Sequence, residues 1–226
     1  MSIKFFKRPR VRLIGGLLLL LGLLLAGGGF YLLQSGGVTA EELAQTQFLE
    51  GDLIFQPSTS RQSLAIQLAT QSKYSHCGIV FKKNGQLYVY EALADMTWTP
   101  LQDWVNRGVQ GHYVLMRLKN RDQLLTSTKL DAMKEAGLKL SSKTYDLLFQ
   151  WSDDKIYCSE LVWKIYDRGA GIPLTPLRTF KDYDLDSEIV QTLIKKRFGS
   201  NFSLSEKVVA PSDLMQSHLL ETVGGN

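Results

Sequence analysis

The chain has 226 residues, of which 26 are Lys or Arg and 22 Asp or Glu, and a pI near 9.0 invites a nucleic-acid reading. The distribution excludes it. Five cations (Lys4, Lys7, Arg8, Arg10 and Arg12) precede Leu13, so 21 cations face 22 acids in the remainder, which carries no basic stripe for phosphates.

Residues 1–12 read as a basic cytoplasmic segment. From Leu13 to Leu33 the sequence is apolar without a single charge. As a helix rising roughly 1.5 Å per residue, this stretch matches the roughly 30 Å hydrocarbon core of a bilayer. It exceeds the roughly 7–15 apolar residues of a signal-peptide core, so an uncleaved single-pass anchor is expected. A small-residue cleavage site at Val38-Thr39-Ala40 is the competing reading. The positive-inside rule leaves the N-terminus in the cytoplasm and exports everything after Leu33, to the periplasm or the cell exterior. Residues 34–48 read as a linker. Residues 49–226 suffice for one domain with a sizeable core.

Asp52 to Gln56 is a compact apolar run of strand type. Ser58, Thr59 and Ser60 offer hydroxyl caps to a helix carrying Leu64, Ala65, Leu68 and Ala69 at helical spacing. Ser75 to Phe81 reads as a strand. Asn84-Gly85 turns it into a return strand, Gln86 to Glu91, because both turn residues tolerate positive φ. Thr99-Pro100-Leu101-Gln102 predicts a helix start with Thr99 as cap and Gln102 at the capping-box position. His112 to Leu118 is a strand, and residues 121–139 predict one long amphipathic helix. Tyr157 to Arg168 predicts another, with Leu161, Val162, Ile165 and Tyr166 inward and Gly169 as its stop. A helical stretch from about Ser187 to Arg197 follows. Val208-Val209-Ala210 and Pro211-Ser212-Asp213-Leu214 then enter a last short helix. The class is α+β, with a small, mostly antiparallel sheet.

The only cysteines are Cys77 and Cys158. Cys158 falls at a helix N-terminus, where free amides and the helix dipole favour a thiolate and can also hold an oxyanion. A buried apolar filler is the plain alternative for such a residue. His76 lies on a strand beside Gly78, which leaves room on that face for an incoming helix end. Glu91, at the end of the hairpin's return strand, is placed to orient the imidazole, though a solvated strand-end carboxylate reads equally well. Strand alternation points Cys77 away from the His76 face. A Cys77–Cys158 disulfide and a Cys158–His76 pair therefore exclude each other on this reading. A zinc site built from His76, Cys158 and His112 or Glu91 lacks the usual paired spacing. His112 and His218 read as structural or solvated. Trp98, Trp104, Trp151 and Trp163 read as core or cleft wall. The glycines of the apolar segment fit helix packing in a larger envelope complex only weakly.

Gly51-Asp52-Leu53-Ile54-Phe55, Tyr74-Ser75-His76-Cys77-Gly78-Ile79-Val80, Tyr90-Glu91-Ala92, Tyr157-Cys158-Ser159-Glu160-Leu161-Val162 and Pro211-Ser212-Asp213-Leu214 occur in that order. Together they resemble the YiiX/YebB-like branch of the permuted papain-like (NlpC-type) cysteine hydrolases over most of residues 49–216. The histidine precedes the cysteine, which is the circularly permuted order. The resemblance implies a helix bearing Cys158 packed on an antiparallel sheet bearing His76, with Glu91 as the third residue. Tyr145-Asp146 is similar to a pair that precedes the cysteine motif, so Tyr145 joins Tyr74 and Tyr157 as cleft candidates. Cys77 departs from the pattern, where an aliphatic residue is usual.

The function expected is that of a membrane-anchored cysteine amidase, peptidase or related acyl hydrolase working through an acyl-enzyme, without cofactor or metal. Its substrates are expected among peptides, amides or acyl groups of the cell envelope. The competing readings are a non-catalytic binding module and a lipid-directed acyl hydrolase or acyltransferase. Polar groups at the cleft would point to cell-wall peptides, and an apolar groove to acyl chains.

Overall fold

The computed structural model describes residues 38–226; the expected cytoplasmic segment, the membrane anchor and the start of the linker lie outside them. Among the described residues no helix is long and apolar enough to cross a membrane.

The described chain begins with α1 (Ala40–Ala44), β1 (Leu53–Gln56), α2 (Arg61–Thr70), β2 (His76–Lys83) and β3 (Gln86–Ala92). It continues through β4 (Met96–Pro100), α3 (Leu101–Arg107), β5 (Val114–Leu118), α4 (Arg121–Leu124) and α5 (Ser127–Lys139). The two short strands β6 (Thr144–Tyr145) and β7 (Lys155–Ile156) lead into α6 (Cys158–Ile165). Then come β8 (Arg178–Thr179), α7 (Glu188–Phe198), β9 (Lys207–Val208), α8 (Pro211–Met215) and β10 (Leu220–Gly225). The main sheet is antiparallel, with strand order β10-β5-β1-β2-β3-β4. This is the α+β arrangement with a mostly antiparallel sheet that the resemblance implies.

Each face of the sheet carries its own core. Leu53, Phe55, Cys77, Ile79, Phe81 and Tyr90 pack with Cys158, Leu161, Val162 and Ile165 of α6 and with Met133 of α5. Ile54, Val80, Val89 and Leu115 point to the other face, where Leu101, Trp104 and Val105 of α3 cover them. The period-2 alternation of the strands thus decides which residues meet α6 and which meet α3.

Several local expectations are corrected. Thr99 does not cap α3: it lies within β4, and Pro100 occupies the cap position without a side-chain bond. The predicted helix over residues 121–139 is two helices, because Thr126 accepts the Lys129 N–H and starts α5 afresh. Past Ile165 the chain widens into a π-type turn over Tyr166–Ala170, and the stop is Gly171 in the left-handed region (φ 72), not Gly169. Gly169 instead permits close packing, since a Cβ there would sit 2.4 Å from Met133 Cα. Leu64 and Leu68 of α2 are exposed, while Ser63 and Ala65 are buried. The C-terminal strand β10 is an addition, and it completes the sheet beside β5.

Candidate active site

Cys158 opens α6. Tyr157 precedes it in extended conformation, and the Glu160 carboxylate accepts the Tyr157 N–H at 3.3 Å, fixing the entry of the chain. Lys164 donates to the same carboxylate at 2.7 Å. Burial nevertheless pushes Glu160 up to about 7. The C-terminal segment braces this turn: Ser159 Oγ donates to Val209 O at 2.7 Å, and the Tyr157 hydroxyl accepts from Val209 N–H at 3.1 Å. Asp213 holds that segment in turn, accepting from Ala210 N–H at 2.6 Å and from the Tyr183 hydroxyl. The Pro211-Ser212-Asp213-Leu214 motif therefore acts on the helix start.

His76 is the first residue of β2, and its Nε2 lies 2.5 Å from Glu91 Oε2. Glu91 is fully buried. Besides His76, its carboxylate accepts from Thr99 Oγ1 at 2.5 Å, Trp104 Nε1 at 3.0 Å and Arg107 at 2.5 and 2.7 Å. Burial alone would raise Glu91, but His76 and Arg107 outweigh it and hold the carboxyl at about 2. Trp104 also stacks on the imidazole, with centroids 6.0 Å apart and planes at 26°.

With Nε2 occupied by Glu91, Nδ1 is the nitrogen left for the Cys158 thiol, whose interaction with the imidazole raises His76 and lowers Cys158. Burial disfavours an imidazolium, yet the bonds to Cys158 and Glu91 lift His76 to about 9. Cys158 is held well below the ordinary thiol value, first by the hydrogen bond from Cys77 and then, against burial, by His76 and the Cys77 backbone amide. Cys77 itself is driven up by burial and by the charge on Cys158. Both shifts favour a buried thiolate–imidazolium pair.

Two sequence expectations about this pair are corrected. Both thiols are free, and Cys77 lies beside Cys158 on the α6 face of the sheet. Strand alternation holds, but the helix packs on the Cys77 face, while His76 reaches the sulfur from the strand's end. The two contacts therefore coexist. Gly78 makes room for β3 rather than for a helix end, since a Cβ there would lie 2.4 Å from Val89 Cγ1 and 3.3 Å from Glu91 Cβ.

Of the cleft candidates, Tyr145 places its hydroxyl 4.0 Å from Cys158 Sγ. Burial, with the Cys158 charge second, keeps that hydroxyl protonated by raising its pKa well above normal. Asp146 shapes the loop behind it, accepting from Leu148 N–H at 2.8 Å and Gln150 N–H at 2.6 Å. Tyr157 lines an apolar cavity beside the sulfur. Tyr74 bonds His112 Nε2 at 3.1 Å and lines neither cavity flanking the sulfur. His112 is thereby a structural partner.

Sequence reasoning missed Trp104, Arg107 and Thr99. The available signal was the i, i+3 spacing of Trp104 and Arg107 on α3, which puts both on one helix face. Among the described residues no three His, Cys, Asp or Glu side chains converge as a metal site.

A thiol at a helix start, a strand imidazole oriented by a buried carboxylate, and histidine before cysteine along the chain define a permuted papain-like protein with a cysteine-hydrolase-type site. The chain belongs to the family described as permuted papain-like amidase enzymes, YaeF/YiiX, C92 family, whose model matches residues 47–224. It is 40% identical over 173 residues to YiiX of Escherichia coli (strain K12), covering 76% of this chain and 84% of that one. It also resembles the crystal structure of the metalloprotein YiiX from Escherichia coli O157:H7, with a TM-score of 0.75 and 39% identity. That match covers 80% of this chain and 98% of the other.

Proposed function

We propose that this chain is a cysteine amidase that acts through an acyl-enzyme on Cys158, with His76 as acid and base and Glu91 as the group that orients it. The observation that carries the reading is the continuous buried line from Glu91 through His76 to Cys158 at the start of α6. In the reaction, the Cys158 thiolate attacks the carbonyl carbon. The free amide of Cys158 and the Tyr145 hydroxyl face the oxygen that becomes charged. His76, as imidazolium, protonates the departing nitrogen as the C–N bond breaks. Water then gives its proton to His76, attacks the thioester and frees the acid, restoring the thiolate.

The YiiX relative of solved structure is described as a metalloprotein, and the residues of this site do not fit a metal ion. Glu91 is committed to four donors, and His112 to Tyr74. The apolar stretch before residue 34 supports an envelope setting in which the domain works on the outer side of the membrane, in the periplasm or at the cell exterior, within reach of a short tether.

Alkylation of Cys158 by iodoacetamide across pH tests the pair. The expected rate stays high well below pH 8.5, the ordinary thiol range, and His76→Ala removes that low-pH reactivity. An ordinary thiol profile, indifferent to His76→Ala, would leave a structural cysteine and favour the binding-module reading.

A further inference from the structure

The hydrogen bonds around Tyr145 have a direction as well as a length, because one member of the chain can only donate. Arg197 lies in the last turn of α7. Its guanidinium donates to Leu147 O at 3.0 Å and to Gln62 Oε1 at 2.7 Å. A guanidinium has N–H donors and no acceptor, so the Gln62 atom that faces it is the carboxamide oxygen. The Gln62 amide nitrogen is thereby turned to Tyr145, and it donates to the phenol oxygen at 2.9 Å. That bond occupies the side of the hydroxyl facing α2. The hydroxyl's single proton is left for the other side, where Cys158 Sγ lies 4.0 Å away.

The opposite arrangement is chemically available. A carboxamide flipped end for end presents its oxygen to Tyr145 and takes the hydroxyl proton for itself. The proton would then point into α2, and the phenol would show only lone pairs to a carbonyl oxygen gaining negative charge. Arg197 opposes that flip, since its N–H groups would meet the Gln62 NH2. The same guanidinium grips the backbone just beyond Tyr145 through Leu147 O, and so holds the segment that carries the phenol. None of this is local: 135 positions separate Arg197 from Gln62, and 83 separate Gln62 from Tyr145. Hydrogen bonds linked in one sense polarise one another, and this chain delivers that polarisation to the Tyr145 O–H.

We propose that Gln62 and Arg197 are positioning residues that act through Tyr145: they commit its hydroxyl to donating toward the acyl oxygen of the substrate. This rests on the acyl-enzyme reading above, in which that oxygen becomes charged when the thiolate attacks. The bond that matters is made in the transition state, so its loss falls on kcat and leaves KM little changed. Tyr145 keeps its proton throughout, as its burial and the Cys158 charge require.

The test is made on the full chain with p-nitrophenyl acetate as substrate and Cys158→Ser as the blank. Gln62→Glu is the decisive variant. It keeps the shape of the side chain and adds charge to the Arg197 bond, yet it presents an acceptor to Tyr145, so the hydroxyl proton turns away from the sulfur. A packing role for Gln62 predicts unchanged turnover in this variant. The relay predicts a kcat lower by about 10²-fold, near the loss in Tyr145→Phe, with KM within about twofold of wild type. Added to Tyr145→Phe, Gln62→Glu should cost no more than about twofold further, which separates the relay from a charge acting through space. Arg197→Met should lose part of the same kcat, and Arg197→Lys, which also can only donate, should lose less. Wild-type kcat in Gln62→Glu or Arg197→Met would overturn the relay and leave the thiolate reading standing. So would a loss in Gln62→Glu that is equal with and without the Tyr145 hydroxyl. No Cys158-dependent turnover by the wild type would overturn both.

Discussion

His76 and Glu91 are joined at 2.5 Å on the sheet face opposite the one that receives the cysteine helix. The carboxylate that orients the imidazole is thus anchored in the α3 core, not in the cleft. Thr99, Trp104 and Arg107 hold Glu91 from below while His76 extends around the end of β2 to the sulfur. Orientation of the imidazole is therefore built into the packing of α3 on the sheet.

Glu91→Gln keeps the shape and removes the charge. His76 loses one of the two groups that lift it to about 9, so its pKa should fall. The alkaline limb of the pH–rate profile should move to lower pH, and kcat should drop on the order of a hundredfold or more, in line with other triad orienters. Glu91→Ala should also lower thermal stability, because it strands the buried Trp104 N–H and the Arg107 guanidinium. A profile whose alkaline limb does not move in Glu91→Gln would remove Glu91 from the mechanism.

The same pair leaves a mark on stability. His76 is raised from 6.5 to about 9, so its contribution is complete below 6.5 and is lost as pH climbs through about 9. Cys158 is lowered, so its contribution is present above the ordinary thiol value of 9.0 and is lost as pH falls through its folded value. Between about 6.5 and about 9 the native pair and the unfolded pair bind the same number of protons. The wild-type melting temperature should therefore be level across that window as far as this pair is concerned. In Cys158→Ser the thiolate contribution is gone and His76 keeps only the part of its rise that Glu91 supplies, so the melting temperature should decline, by less than the full His76 shift implies, as pH rises above 6.5. Calorimetry on both proteins from pH 6 to 9 checks the difference, and parallel curves would argue against an ion pair in the resting site.

Gly78→Ala tests how the third residue is seated. The added methyl would meet Val89 Cγ1 at 2.4 Å and Tyr90 O at 2.9 Å, so β3 must shift, and Glu91 shifts with it. Overpacking of this kind costs about 1–3 kcal/mol. Chemical denaturation should show that loss, and kcat should fall well beyond it in the fraction that remains folded. Full activity per folded molecule would mean that the position of Glu91 is not critical.

How much of this was visible in the residues alone depends on range. Cys158, His76 and Glu91 stood out because each sits in a short motif with strand or helix-start chemistry, and the structure brings all three together. The relation of Cys77 to Cys158 was not visible. Alternation tells which residues share a face, but not which face a helix beginning 81 positions after Cys77 will cover. Thr99 had the local look of a helix cap, and the demand of a buried carboxylate eight residues earlier took its hydroxyl instead. The π-type turn after Ile165 likewise reflects packing against α5, a tertiary effect, whereas the break at Thr126 is a local hydroxyl cap that helical periodicity does not encode. The apolar cavity was beyond sequence altogether, because its walls come from α2, the Phe149 loop and α7, none adjacent in the chain.

Tyr145 separates nucleophile activation from transition-state stabilisation. Its hydroxyl lies 4.0 Å from Sγ, held by Gln62 at 2.9 Å, and burial with the Cys158 charge keeps it protonated. A neutral donor so placed does little to lower the thiol pKa compared with Cys77 and His76, but it faces the space where a carbonyl oxygen gains charge. Tyr145→Phe should therefore leave the alkylation rate of Cys158 near the wild-type value. Loss of one oxyanion donor is worth about 10²–10³ in kcat, and a fall toward that range with little change in KM is expected. The two rates measured on the same preparation decide the role. If alkylation slows as much as turnover, the hydroxyl serves the thiolate. If neither changes, the oxyanion is held by the helix-start amides alone.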